Sequence, residues 1–284
     1  MELGILDSYP LGVGAVILLA VLLSSLEIGY WLGKRTKIHQ GANVISGSKD
    51  IAVGSMFALL GLIMAFTYAF TVSRADQRKQ VIVDEANTIG TAFLRTELTS
   101  EPGRSELRRL LLDYARTRVA NTAISKDTQA FKKAVARSMM VQAELWPATV
   151  RMVKNKGGSP GPLEISIVQA VNEVLDMQGQ RAKNATDRLP GVTLLMLVFI
   201  AAASLAVAGF NSGLSGPLNR WRMTILTSVL AMVMLIIIDF DLPMRGFIEV
   251  SQMPLEKVID GMETSLSGSS TTVGNHSPVT GKDR

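Results

Sequence analysis

The sequence predicts an all-α integral membrane protein with four transmembrane helices and a helical domain inserted between the second and third, on three observations. Residues 11–33, 51–72, 190–210 and 221–242 are apolar runs, each near the roughly 20 residues a helix needs to cross ~30 Å of hydrocarbon. A polar stretch, residues 73–189, separates the second run from the third. The composition, 48% hydrophobic and 6% aromatic over 284 residues with a mean hydropathy of +0.28, suits a chain half embedded in lipid.

The segment preceding the first run carries Glu2 and Asp7 and no Lys or Arg. Its apolar core is too long for a signal peptide, and no small-x-small cleavage site stands before Gly33-Lys34-Arg35, so a retained membrane helix is expected. The second run, 51–72, completes a first transmembrane pair within residues 1–72. Beyond it the helix is expected to continue, with Ile82, Ala86, Ile89 and Phe93 on one face and Arg78, Asp84 and Asn87 opposite. Glu101-Pro102-Gly103 breaks that helix, and Leu107, Leu110, Leu111 and Tyr114 mark the face of the next. A third follows with Phe131, Val135, Met139 and Trp146 on one face, interrupted near Pro147. The Gly/Pro-rich turn at 157–162 precedes a fourth, with Ile167, Val171, Val174 and Leu175 on one side, which feeds the third span after Leu189-Pro190. These segments suggest a helical bundle. The second transmembrane pair occupies residues 190–242. Residues 243–266 hold an amphipathic segment opened by Pro254, with Leu255, Val258, Ile259, Met262 and Leu266 on one face. Residues 267–284 are Ser/Thr/Gly-rich, the composition of a disordered tail.

Orientation has arguments on both sides. Lys34, Arg35, Lys37 and Lys49 in the first short loop, with Arg220 and Arg222 in the second, place both short loops in the cytoplasm and the inserted domain outside. Arg74, Arg78 and Lys79 after the second span, with Arg181, Lys183 and Arg188 before the third, argue the reverse.

Two stretches carry a family resemblance. Leu59-Leu60-Gly61-Leu62-Ile63-Met64-Ala65-Phe66-Thr67, then Ser73-Arg74 and Asp84-Glu85-Ala86-Asn87-Thr88-Ile89-Gly90-Thr91-Ala92-Phe93-Leu94-Arg95, resemble the signature of the bestrophin-like domain proteins of bacteria. The run from Asp239 to Gln252 resembles that family's closing segment, so the likeness covers roughly residues 50–260. It implies a multi-pass protein of the bacterial inner membrane. True bestrophins are oligomeric anion channels with four membrane helices per subunit and a helical cytosolic domain, which would put the inserted domain in the cytosol.

Leu62, Phe66 and Phe70 recur every four residues and form one stripe of the second span. They resemble the apolar neck that the second helix of bestrophins contributes to the pore, where a constriction can gate by dewetting. Gly61, Ala65 and Ala69 give a small-xxx-small seam for close helix packing. Thr67, Tyr68 and Thr71 either line a conduit or bond carbonyls one turn back. Arg74, Arg78, Asp84, Glu85 and Asn87 stand where the helix leaves the membrane; around an oligomer axis they would set the field at a channel mouth, and otherwise they are a solvated face. Glu27, near the end of the first span, is expected to snorkel or to pair with Lys34.

Bestrophins carry an acidic calcium clasp after their fourth helix. Here Asp239, Asp241 and Glu249 fall short of the roughly six to eight oxygens calcium takes, so no metal is expected and an ion pair with Arg245 is preferred. No cofactor is implied. The chain has no cysteine, which excludes thiol chemistry. His39 and His276 lie in a loop and the tail, and no phosphate loop, zinc spacing or nucleophile elbow is present, so an enzyme is not expected. Gly12-x-Gly14 lies within an apolar helix and is no dinucleotide site. The net charge of +5 is scattered, which fits lipid headgroups better than nucleic acid. The expected partners are the bilayer, further copies of the chain and inorganic ions. The expected function is a homo-oligomeric ion channel lined by the second span; the alternative is a non-conducting sensor or scaffold whose helical domain binds a ligand or partner.

Overall fold

The computed structural model describes residues 11–40, 47–123, 128–155, 157, 159–216, 219–241 and 251–272. Among these the regular structure is helical: α1 (Leu11–Gln40), α2 (Gly47–Arg95), α3 (Gly103–Ala123), α4 (Thr128–Asn155), α5 (Pro162–Thr186), α6 (Gly191–Ser215), α7 (Arg220–Asp241) and α8 (Met253–Thr272), with a 3-10 turn at Thr96–Leu98 after α2. The helices α1, α2, α6 and α7 are each long and apolar enough to cross a membrane. The chain is thus an all-α, four-span membrane protein. It divides into two compact units, Met1–Asp76 with Asp187–Glu249 and Gln77–Thr186 with Val250–Arg284.

The first, membrane unit is built on α1 and α6. Leu18, Leu22 and Leu26 of α1 meet Leu197, Ala201 and Leu205 of α6, each set at four-residue spacing, and Leu60, Met64, Ala231, Met234 and Ile237 complete the core. Apolar side chains gain little from meeting one another in lipid, so backbone approach and van der Waals contact carry the association. Here that approach is extreme. A Cβ at Gly29 would stand 2.0 Å from the Ala206 carbonyl oxygen, and one at Gly33 2.1 Å from that of Phe210. From the other side, a Cβ at Gly209 would meet the Leu26 oxygen at 2.2 Å and one at Gly213 the Tyr30 oxygen at 2.4 Å. Two Gly-xxx-Gly motifs therefore interlock, and the Ser25 hydroxyl donates across the seam to the Ala202 carbonyl at 2.6 Å.

The second, polar unit takes the remainder of α2 with α3, α4, α5 and α8. Its core gathers Ile82, Ala86, Ile89 and Phe93 of α2, Leu107, Leu111 and Tyr114 of α3, and Leu145, Ala148 and Met152 of α4. Ile167, Val171 and Val174 of α5 and Leu255 and Met262 of α8 complete it. Helix α4 closes at Gly157, whose φ of +67° is left-handed backbone that glycine adopts without steric cost. Helix α5 opens on Pro162, and the Glu164 carboxylate reaches back to accept the Gly161 N–H at 2.9 Å.

The helices differ from expectation in three places. Helix α4 runs unbroken through Pro147, because the proline and Ala143, whose carbonyl loses its partner, both stand on the exposed side. Its buried face is Leu145, Ala148, Thr149 and Met152, whereas Met139 and Trp146 are exposed; the side chain of Phe131 lies outside the described residues. Helix α8 continues past Leu266 to Thr272, inside the segment whose composition suggests a tail, while residues 273–284 lie outside the described residues.

Candidate functional site

Successive residues of a helix are rotated by ~100°, which sorts the membrane part of α2 into two sides. Leu60, Met64, Thr67 and Thr71 fall in one sector and are buried in the membrane unit. Leu62, Phe66 and Phe70 fall opposite and are 53%, 69% and 52% exposed. Gly61, Ala65 and Ala69 occupy the adjoining sector, also exposed, and a Cβ at Gly61 would meet nothing within 4 Å. The apolar stripe and the small-residue seam are therefore side by side on the surface of the single chain. The close packing inside the chain uses the glycines of α1 and α6 instead.

The hydroxyls of Thr67 and Thr71 do not share that surface. Thr67 donates to the Ile63 carbonyl at 2.8 Å, and Thr71 to those of Tyr68 and Thr67 at 2.8 and 3.1 Å. Of the two roles open to them in sequence, carbonyl bonding one turn back is what the geometry holds, because their sector is the one α2 turns inward. At the end of the stripe the Arg74 guanidinium lies 4.6 Å from the Phe70 ring centre and 3.4 Å from the Asp187 carboxylate.

Farther along α2, the polar residues read as a mouth or a solvated face separate. Asn87 is exposed, and Asp84 accepts a 2.8 Å hydrogen bond from the Gln80 amide. Arg78 and Glu85 are buried, at 9% and 0% exposure. Arg78 stands four residues before Ile82 and so shares its face, rather than opposing it as the sequence reading has it; its Nε donates to the Asn184 carbonyl at 3.3 Å. Glu85 accepts from Arg118 Nε at 2.6 Å and from Arg181 Nη1, and Arg181 Nη2 also reaches the Gln252 side chain at 3.1 Å. One carboxylate thus ties α2 to α3 and α5, and Arg181 extends the network to the residue before α8.

Tyr114 lies beside this network, its ring 5.8 Å from the Arg118 guanidinium. Its hydroxyl is buried and has no hydrogen-bond partner among the described residues. Burial pushes its pKa up to about 12; the nearby Arg118 opposes that rise and Glu85 adds to it.

At the end of α7 the buried Asp241 carboxylate accepts the Leu189 N–H at 2.8 Å, which fixes the turn entering α6. Asp239 is also buried, and Glu249 and Arg245 lie outside the described residues. Among the described residues no group of three or more His, Asp or Glu is placed to hold a metal ion. Glu27 meets Arg220 at 3.5 Å, a partner from the other short loop rather than Lys34.

Sequence reasoning missed two features. Gly29-xxx-Gly33 and Gly209-xxx-Gly213 were readable as packing motifs from spacing alone. The partners of Glu85 carried no such signal, since they lie 33 and 96 residues away along the chain.

Comparison with known proteins adds two findings. A family model described as a bestrophin-like domain matches residues 17–255. A crystal structure described as that of a membrane protein is similar in fold, with a TM-score of 0.54 at 10% sequence identity, covering 91% of this chain and 97% of the other. No curated protein matches the chain in sequence.

Proposed function

The chain belongs to the bestrophin-like family, and from that premise we propose that it is a homo-oligomeric ion channel whose pore is lined by α2, with Leu62, Phe66 and Phe70 as an apolar neck. The observation that carries the proposal is the pairing of two exposed sectors on one helix. A subunit at a pore axis needs one face toward the axis and an adjoining face toward its neighbour. The Leu62–Phe66–Phe70 stripe serves as the first and the Gly61–Ala65–Ala69 seam, left exposed among the described residues, as the second. Arg74, held against Phe70 and Asp187, then stands at one end of the neck, where its charge meets a permeating ion as the ion regains water. The bacterial inner membrane is the location this reading assigns.

Ion efflux from liposomes containing the purified chain tests it. Wild type should pass a restricted set of ions, and Phe66→Ala and Phe70→Ala should each raise the flux, because smaller side chains widen the neck and make it easier to wet. A folded, oligomeric protein with no flux in any salt would point instead to a non-conducting scaffold.

A further inference from the structure

Where α6 gives way to α7, the surface of the membrane unit holds an open cleft of ≈ 640 Å³ lined by Ser212, Ser215, Asn219, Arg222, Met223 and Leu226. That volume is within the range that holds a small organic ligand, roughly 300–1,000 Å³. The lining is graded. Ser212, Ser215, Asn219 and Arg222 stand in the last turn of α6, the connecting turn and the first turn of α7, which is headgroup depth for helices that end there. Met223 and Leu226, three residues apart on α7, continue one face toward the hydrocarbon.

The polar donors there are available. The Ser212 hydroxyl is committed to the Ala208 carbonyl at 2.9 Å, and the Asn219 side-chain oxygen receives the Arg222 backbone N–H at 3.4 Å. Among the described residues, no ion pair engages the Arg222 guanidinium, and no partner takes the Ser215 hydroxyl or the Asn219 amide nitrogen. Arg220 is different: it faces Glu27 and is partly neutralised. The surroundings are basic and interfacial. The Lys34 backbone would stand 2.7 Å from a Cβ on Gly213, so the end of α1 that carries Lys34, Arg35 and Lys37 abuts this end of α6. Trp221 is 75% exposed next to Arg222, and Trp31 carries the Arg35 guanidinium 3.8 Å above its ring, both placements that suit a membrane–water boundary.

We propose that this cleft binds the phosphate headgroup of an anionic phospholipid, with Ser215, Asn219 and Arg222 donating to the phosphate and Met223 and Leu226 against the start of an acyl chain. A net-positive pocket open to hydrocarbon on one side selects an anionic amphiphile over a zwitterionic lipid, which brings its own cation, and over a free anion, which leaves the apolar part empty. The site is independent of whether α2 lines a pore.

The test is thermal unfolding of the full chain in neutral detergent, titrated separately with phosphatidylglycerol, phosphatidylcholine and inorganic phosphate. A ligand that binds only the folded state raises Tm by mass action. Phosphatidylglycerol should raise it saturably. Arg222→Gln should move the midpoint of that titration to about tenfold higher lipid, the loss of one charge-assisted hydrogen bond. Asn219→Leu should also move it, with all charges retained, and Arg109→Gln, an equal loss of charge on the polar unit, should not. The proposal is overturned if phosphatidylcholine acts equally, if inorganic phosphate alone reproduces the rise, or if neither Arg222→Gln nor Asn219→Leu shifts the midpoint.

Discussion

Replacing Glu85 with glutamine removes one charge and almost no volume, so its effect isolates the buried network. The Glu85 side chain is 1% exposed and faces Arg118 and Arg181, whose side chains are 9% and 17% exposed. Removing one member of a buried ion pair costs about 3–5 kcal/mol, because the remaining charge stays buried without its counterion. Arg181 retains some contact with water and can be partly rehydrated, which favours the lower end, ~3 kcal/mol. Each ~1.4 kcal/mol is tenfold in an opening equilibrium, so amides of α3 and α5 near Arg118 and Arg181 should exchange with deuterium about 100-fold faster than in wild type. Amides of α1 and α6, in the other unit, should be unchanged. Glu85→Gln combined with Arg118→Met should cost less than the two single losses added together, since an apolar side chain then replaces an abandoned charge. Exchange in α3 and α5 accelerated by less than about threefold, or a strictly additive double variant, would refute the reasoning.

Tyr114 ties stability to alkaline pH. Its folded pKa is raised to about 12 from an ordinary value of 10.0, so the contribution is complete below pH 10 and is lost as pH climbs toward 12. The loss is on the order of 2–3 kcal/mol. The difference in phenolate absorbance between wild type and Tyr114→Phe should titrate late, and the substitution should abolish that part of the pH dependence without destabilising the protein at neutral pH, since the hydroxyl has no partner among the described residues to lose. Gly29→Ala and Gly209→Ala should each cost about 1–3 kcal/mol by forcing α1 and α6 apart, read as earlier aggregation on heating, whereas Gly61→Ala should be tolerated within the subunit. Arg220→Gln should change stability by less than ~1 kcal/mol, because its pair with Glu27 is exposed, and equilibrium unfolding in denaturant measures this.

The spans were legible because lipid imposes a composition as well as a pattern, and four such runs have few other interpretations. The core faces of α2, α3, α5 and α8 were also legible from periodicity, since Ile82, Ile89, Leu111, Val171 and Met262 are buried where spacing put them. The polarity of Arg78 reads as solvent-facing, yet its position four residues before Ile82 puts it on the core face; an arginine can sit there when a carbonyl such as that of Asn184 receives it. Trp146 is the converse case, an apolar side chain on a face that α4 leaves exposed. The family signature carries both faces of α2 at once. Its Asp84-Glu85-Ala86-Asn87 run holds an exposed amide two residues from a fully buried carboxylate, and only the partners brought by α3 and α5 tell them apart.

The most direct measurement follows from the absence of cysteine in the chain. A single Phe66→Cys substitution, reconstituted in a planar bilayer, gives one thiol on the stripe assigned to the pore. A charged methanethiosulfonate reagent added from the aqueous phase should change the current through Phe66→Cys and leave wild type unaltered. A steady current that the reagent leaves unchanged, with mass spectrometry showing the thiol modified, would contradict α2 as the pore-lining helix.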